Sequence, residues 1–395
     1  MPPINIPLEI QKLLENGAPA ALGVSGGKDS GALGLALNAY LDQIGHPKEN
    51  RVLIHSHLGL IEWPDSLTWC HKLADFLGIE LLVVERAAGG MLERWETRWN
   101  NNWTRYTSLQ CLKLILPWST ASMRFCTSEL KTAIICRALR KRWPTQTILS
   151  ASGIRSEESP NRAKAPVFKL QPKLTTKSHE GYDWAPIKDW TIQDVFAIHK
   201  DHDFPLHPAY TEFGASRVSC AFCILATAHD QSAALKQEGN HESYIRLCAL
   251  ELASAFSFQT NRWLCDLNPE ILEAALPGSA RRLEFSKELA QKREATEKLL
   301  PEGLLFQKGC QWPPREISRG EAEALAEIRS NILSLYAQND LAALTAQLRG
   351  IGQTAVADTL DNLPKPNPTE DPEHIQEQLN SLVRQNEKPE ELLLL

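Results

Sequence analysis

Residues 20–30 constrain this chain more than any other stretch. Ala20 to Val24 is a short apolar run that breaks into Ser25-Gly26-Gly27-Lys28-Asp29-Ser30, and Leu33, Leu35, Ala36, Ala39 and Tyr40 then recur at helical spacing. A glycine-rich turn between strand and helix aims backbone N–H groups and the positive end of a helix dipole at an anion. Glycines let the backbone approach closely, and Lys28 adds a formal charge. The turn is not a Walker A loop, because Leu22 stands where that motif needs glycine and Asp29 follows the lysine. It is not the G-x-G-x-x-G dinucleotide fingerprint either.

The surrounding pattern is α/β. Further strand candidates are 51–55, 79–84 and 147–152, and helix candidates are 67–77 and about 130–142. Strands apolar on both faces, alternating with helices, predict a parallel sheet sandwiched by helices. Past Tyr210 the periodicity becomes mainly helical, over 231–254, 269–276, 282–299 and 319–349, with a weak strand pattern near 303–308. The expected organisation is a nucleotide-binding domain over 1–215, a cysteine-containing helical region over 216–350, and a polar, acidic tail over 351–395. That tail reads as solvated or as a loosely held helix, and Glu390 to Leu395 as a frayed end.

Charge is unevenly placed. The 42 Lys and Arg against 48 Asp and Glu give a net of −6, which excludes a uniformly basic coat protein. Residues 124–177, however, hold 12 Lys or Arg and 3 Glu, with Arg137, Arg140, Lys141 and Arg142 close together. That exceeds what one nucleotide needs, so DNA or RNA is a candidate second partner for the 124–177 segment. Trp95, Trp99 and Trp103 share one helix face and read as core or lid packing ahead of a base-stacking platform. No apolar run is long enough to span a membrane and no secretion signal opens the chain, so a cytoplasmic protein with no membrane partner is expected.

Nine cysteines in such a chain are not a disulfide framework. Cys220 and Cys223 form a C-x-x-C, which alone is compatible with zinc, an iron–sulfur cluster, a redox pair or chance. Cys70, Cys111, Cys136, Cys265 and Cys310 have no spacing partner and read as buried small apolar residues.

Five stretches in order resemble the phosphoadenosine-phosphosulfate reductase family of the PP-loop superfamily (ATP pyrophosphatase, adenine nucleotide alpha hydrolase-like). They are Ser25 to Ser30; Arg124-Phe125-Cys126-Thr127 with Leu130-Lys131; Gly153-Ile154-Arg155 with Glu158-Ser159 and Arg162; Pro186-Ile187 with Trp190, Asp194 and Val195; and Pro205 to Tyr210 leading into Arg217 to Cys223. The resemblance covers about 18–250. It implies that Ser25, Gly26, Gly27, Lys28, Asp29, Ser30, Lys131, Gly153, Arg155, Glu158, Ser159 and Arg162 hold ATP or an adenylyl-sulfate nucleotide. It also implies that Asp29 helps place Mg²⁺, and that Lys28, Arg155 and Arg162 stabilise developing charge. The family's cluster-binding branch supplies a cysteine at the position of Cys126. Cys126, Cys220 and Cys223 would therefore suit a [4Fe–4S] cluster, with Cys248 as fourth ligand or one iron open for substrate sulfur; reduced structural thiols and zinc are the alternatives.

Two departures bear on the reaction. His57-Leu58-Gly59 stands where the family commonly has Asp-x-Gly, and no cysteine follows Cys310, whereas thioredoxin-dependent reductases use one in a C-terminal motif. The resulting expectation is an enzyme that adenylates a substrate with release of pyrophosphate, ahead of sulfur transfer from a donor protein. DNA phosphorothioation enzymes that resemble this family work along such lines. A sulfonucleotide reductase and a non-catalytic nucleotide-binding partner protein are the alternatives.

Overall fold

The computed structural model describes residues 2–306 and 311–386. Cys310 and the closing Glu390 to Leu395 lie outside the described residues. The chain forms two compact units, Met1–Glu93 with Ser119–Tyr244, and Arg94–Trp118 with Ile245–Leu395. Residues 94–118, which the alternation groups with the first half, pack in the second unit.

The first unit is built on one six-stranded sheet. Its strands are β1 (Ala20–Gly23), β2 (Arg51–His57), β3 (Leu81–Glu85), β4 (Ile148–Ala151), β5 (Phe168–Leu170) and β6 (Gly181–Trp184), in the order β3-β2-β1-β4-β6-β5. All pairings are parallel except β5 with β6. The chain leaves β1 for β2 on one side and returns to β4 on the other. The carboxyl ends of β1 and β4 therefore flank the point where strand order reverses, the usual place for a ligand crevice in such sheets.

Side chains of β1 alternate between two cores. Ala20 and Leu22 share one with Ile10 and Leu14 of the helix α1 (Leu8–Glu15), with Leu33 and Leu37 of the helix α2 (Lys28–Gln43), and with Trp184, Val195 and Ile198. Ala21 joins Val52, Ile54, Cys136 and Leu139 on the other face. Both faces are thus dry, as parallel strands require. Local chemistry sets the helix ends: Thr191 and Asp194 form a reciprocal capping box at Ile192–Asp201. Gly78, at φ 63°, closes Ser66–Leu77.

The second unit is helical among its described residues. The expected helix 319–349 is two, Arg319–Ala337 and Leu341–Gly350, because Asp340 caps the second by accepting the Ala343 N–H at 3.0 Å. The expected helix 231–254 likewise resolves into Ala228–Leu235 and His241–Ser254. In place of a strand near 303, residues Glu302–Leu304 form a 3-10 turn. Trp95, Trp99 and Trp103 are 1–3% exposed. They pack on Trp118, Phe256, Phe258 and Tyr336, so their faces are core rather than a base platform.

Within 351–386, two helices form, Thr354–Asp361 and Pro372–Asn386, and Ile375, Leu379 and Val383 of the second are buried. An ion pair anchors this segment. Arg329, 1% exposed, donates from Nε and Nη2 to both Glu370 oxygens at 3.1 Å and from Nη1 to the Tyr106 carbonyl at 2.9 Å. Removing the acid would strand a buried guanidinium. Glu370→Ala is therefore expected to destabilise the second unit by about 3 kcal/mol, read as a lower urea midpoint.

Candidate functional site

The site is assembled from loops at the carboxyl ends of the parallel strands. After β1 the chain turns through Gly26 at φ 75°, and a Cβ there would sit 3.0–3.2 Å from the Ser66 backbone and the His207 ring, so both conformation and space demand glycine. The turn braces itself: the Ser25 N–H donates to Ser30 Oγ at 3.2 Å, and that hydroxyl donates to the Gly27 carbonyl at 2.9 Å. The Tyr210 hydroxyl oxygen accepts N–H groups from Lys28 at 3.2 Å and Val218 at 3.1 Å, and burial pushes its pKa up to about 12. It pins the start of α2 to the segment that leads into Cys220.

Lys28 is buried beneath this turn. Its Nζ lies 3.3 Å from the Ser216 carbonyl, 3.4 Å from Asp29 Oδ2 and 5.0 Å from the Tyr210 ring centre. Arg155, 5% exposed, donates from Nε to Asp29 Oδ1 at 2.6 Å and from Nη1 to Glu157 at 2.8 Å. Asp29 thus sits between two cations, and the three residues tie the loop after β1 to the loop after β4. Arg162 is freer and pairs with Glu158, whose Oε2 also accepts the Arg155 backbone N–H at 2.9 Å.

Above the turn lies a cleft of about 680 Å³, within the range of small-molecule sites. Of the residues singled out in the sequence, Ser25, Gly27, Asp29, Ser30, Lys131, Gly153, Glu158, Arg162 and Cys220 line it. Lys28, Arg155 and Gly26 stand behind this wall as its supports. Ser159 caps the short helix Pro160–Lys164 by accepting the Arg162 N–H. The wall also includes His55, Glu62, Lys169, Asp183 and Arg217, which the sequence reading did not assign. Arg217 opens the Arg217 to Cys223 stretch that holds the C-x-x-C, a usable signal. Lys169 and Asp183 come from β5 and β6, strands the periodicity missed.

The wall contributed by β2 is a charge pair. His55, 1% exposed, contacts Glu62 Oε2 through Nε2 at 3.1 Å and the Val24 carbonyl through Nδ1 at 3.0 Å. The His57 Nε2 lies 3.9 Å from the same Glu62 oxygen. Burial opposes charge on His55, but hydrogen bonds to Cys70 and Glu62 outweigh it and raise its pKa to about 10. Glu62 also bridges Cys220 as an antiparallel pair, with the Ala221 N–H donating to the Ile61 carbonyl at 2.8 Å.

Cys126, Cys220 and Cys223 all belong to the first unit, and Cys248 to the second. Burial pushes the Cys220 thiol well above its ordinary value, with Cys223, Glu62 and Cys126 adding to the shift and Lys131 opposing it. The three first-unit thiols are therefore electrostatic neighbours, but their sulfurs do not all lie within 4.8 Å of one another. Sulfurs on one zinc stand about 3.8 Å apart at Zn–S of about 2.3 Å. A zinc centre is thus not preformed there. An iron–sulfur cube, which spreads its thiolates over separate irons, needs no such closeness. Cys136, read as packing, is buried but touches the cleft.

A self-braced glycine-rich loop at the switch point of a mostly parallel sheet, facing a cleft lined by five Lys or Arg and four Asp or Glu, is the arrangement of a PP-loop nucleotide-binding enzyme. The chain belongs to the phosphoadenosine phosphosulfate reductase family, whose domain matches residues 19–226, just over half of its length. It is 37% identical over 108 residues to an uncharacterized 37.8 kDa protein in the gpa 5'region of Escherichia phage 186. That match spans 26% of this chain and 30% of the phage protein. A phosphoadenylyl-sulfate reductase from Candida auris, solved as a phosphate complex, aligns over 55% of this chain and 98% of its own, with 13% identity and a TM-score of 0.33.

The His55–Glu62 pair gives a pH signature. Because the folded-state pKa of His55 is raised, its stabilisation is complete below about 6.5 and is lost as pH rises toward about 10. Urea midpoints of the wild type are expected to fall across that window. Glu62→Gln should have a lower midpoint at pH 6 and a flatter decline; equal slopes for the two proteins would refute the assignment.

Proposed function

We propose that the protein binds ATP in the 680 Å³ cleft and adenylates a substrate, releasing pyrophosphate, ahead of displacement of AMP by sulfur. The observation that carries this reading is the pairing of the Ser25–Ser30 loop with Lys131, Arg162, Lys169 and Arg217 around one cleft. A triphosphate needs several cations converging on one end of the ligand, and Arg forks suit phosphate oxygens.

In this reading the backbone of residues 25–30 and the start of α2 receive the phosphates. Arg162 and Lys131 meet the charge that develops as a substrate oxygen attacks the α-phosphorus and pyrophosphate departs. Lys28 and Arg155 act from behind, holding Asp29 and the loop in place, while Mg²⁺ enters as part of the nucleotide. Cys220, the one residue of the C-x-x-C that lines the cleft, is placed to meet an activated substrate. An iron–sulfur cluster would be held by Cys126, Cys220 and Cys223, and would supply a sulfur-binding iron; a donor protein would replenish the sulfur.

The exposed Arg137, Arg140 and Lys141 suit a polyanionic substrate such as DNA or RNA. Binding of a duplex should then weaken steeply with salt, and reversing these three charges to Glu should reduce the slope of log K against log salt by about 3. A salt-independent affinity would remove nucleic acid from the scheme.

Turnover tests the rest. With ATP, Mg²⁺, nucleic acid and a sulfur donor, pyrophosphate and AMP should appear together. Arg162→Ala should reduce kcat/KM for ATP about 10- to 100-fold, the loss of a charge-assisted hydrogen bond. Sulfite release from adenylyl sulfate or phosphoadenylyl sulfate, without pyrophosphate from ATP, would instead establish a reductase.

A further inference from the structure

In the second unit, three metal-ligating groups meet in the interior. Cys248 and Glu251 stand three residues apart on the helix His241–Ser254, which puts them on one face. The chain leaves that helix through Ala255, at φ 51°, and folds back so that Cys265, in the 3-10 turn Leu264–Asp266, reaches the same face. The two sulfurs and a Glu251 carboxylate oxygen all lie within 4.8 Å of one another. Each of the three residues is 0% exposed. Among the described residues, no other three His, Cys, Asp or Glu side chains converge so closely.

Glu251 is held rigidly. Its Oε1 accepts the N–H groups of Phe258 at 2.6 Å and Leu264 at 2.9 Å, and its Oε2 accepts that of Cys265 at 2.9 Å. The Cys265 thiol hydrogen-bonds the same carboxylate, and its Sγ lies 3.8 Å from the Cys248 carbonyl, so the three groups already face one another. Burying such a carboxylate is costly without a cation.

We propose that Cys248, Glu251 and Cys265 are three ligands of a structural, zinc-type metal site that fastens the 255–265 loop to the helix. Two thiolates with one carboxylate are a borderline-soft set, which suits Zn²⁺ and disfavours Mg²⁺ or Ca²⁺. Full burial fits a closed site loaded as the chain folds rather than a centre open to substrate. A main-chain oxygen or buried water completes the coordination. With the sulfurs within 4.8 Å of each other, an approach of at most about 1 Å reaches zinc-bound spacing. This site is independent of the nucleotide cleft and of the first-unit thiols, and stands or falls without them.

The test uses the full chain, together with a Cys126→Ser/Cys220→Ser/Cys223→Ser variant and a Cys248→Ser/Cys265→Ser variant. Zinc and iron are measured after exhaustive dialysis, and zinc-edge X-ray absorption is recorded. The wild type and the triple variant should each retain about one zinc whose first shell contains two sulfurs and oxygen or nitrogen ligands. Refolding the triple variant with Co²⁺ should give a thiolate-to-cobalt charge-transfer band, and the double variant should lose the zinc. A folded triple variant that holds neither zinc nor cobalt overturns the proposal. If a variant fails to fold, the wild type decides: zinc absent, or bound only by sulfur, overturns it as well.

Discussion

The first unit depends on one close approach between two loops. Gly153, at the end of β4, lies so near the Asp29 carbonyl that a Cβ on it would come within 2.5 Å of that oxygen. No flexible side chain could give way there, since the obstacle is backbone. The same junction is clamped by Arg155, which reaches from the loop after β4 to Asp29 at the start of α2. Strand order reverses between β1 and β4, so these loops diverge unless something holds them. Steric fit at Gly153 and the Arg155–Asp29 pair together fix the floor of the cleft.

This changes the division of labour among the charged residues. A motif reading assigns Lys28, Asp29 and Arg155 directly to phosphate. In the structure their side chains also contact one another: two cations hold one carboxylate, and Lys28 and Arg155 are nearly sealed from solvent. Removing Asp29 would leave Lys28 and Arg155 as two buried cations without the carboxylate between them, a cost that falls on the order of this loop. The cations that line the cleft are those further out, Lys131, Arg162, Lys169, Lys188 and Arg217. Net charge over the whole chain, −6, conceals this arrangement entirely.

How much of this was legible in the sequence follows from the range of the forces involved. The loop Ser25–Ser30 and the strands 20–23, 51–57, 81–85 and 148–151 show through because backbone turn chemistry and burial on both faces leave local marks. β5 and β6 left none: they are three and four residues long, and Lys169, Gln171 and Asp183 interrupt any apolar run. The Trp95, Trp99 and Trp103 stripe was legible as a buried face, but its membership of the second unit was not, because that depends on Phe256 and Tyr336 far along the chain. Cys265 illustrates the same limit. Spacing gave it no partner, and only the reversal after Ala255 brings it to Cys248 and Glu251.

The departure at His57 can also be understood physically. Where the resembling family commonly carries an aspartate before glycine, this chain has a histidine, and a carboxylate enters the cleft wall from Glu62 instead. That acid does not stand alone: His55 contacts its Oε2, and His57 lies near the same oxygen. With His55 held protonated, the pair is close to neutral, so this wall repels an anionic ligand less than a bare aspartate would. The cations lining the cleft outnumber the acids by only one, Lys131, Arg162, Lys169, Lys188 and Arg217 against Asp29, Glu62, Glu158 and Asp183, so the proton on His55 weighs heavily in the charge a ligand meets there.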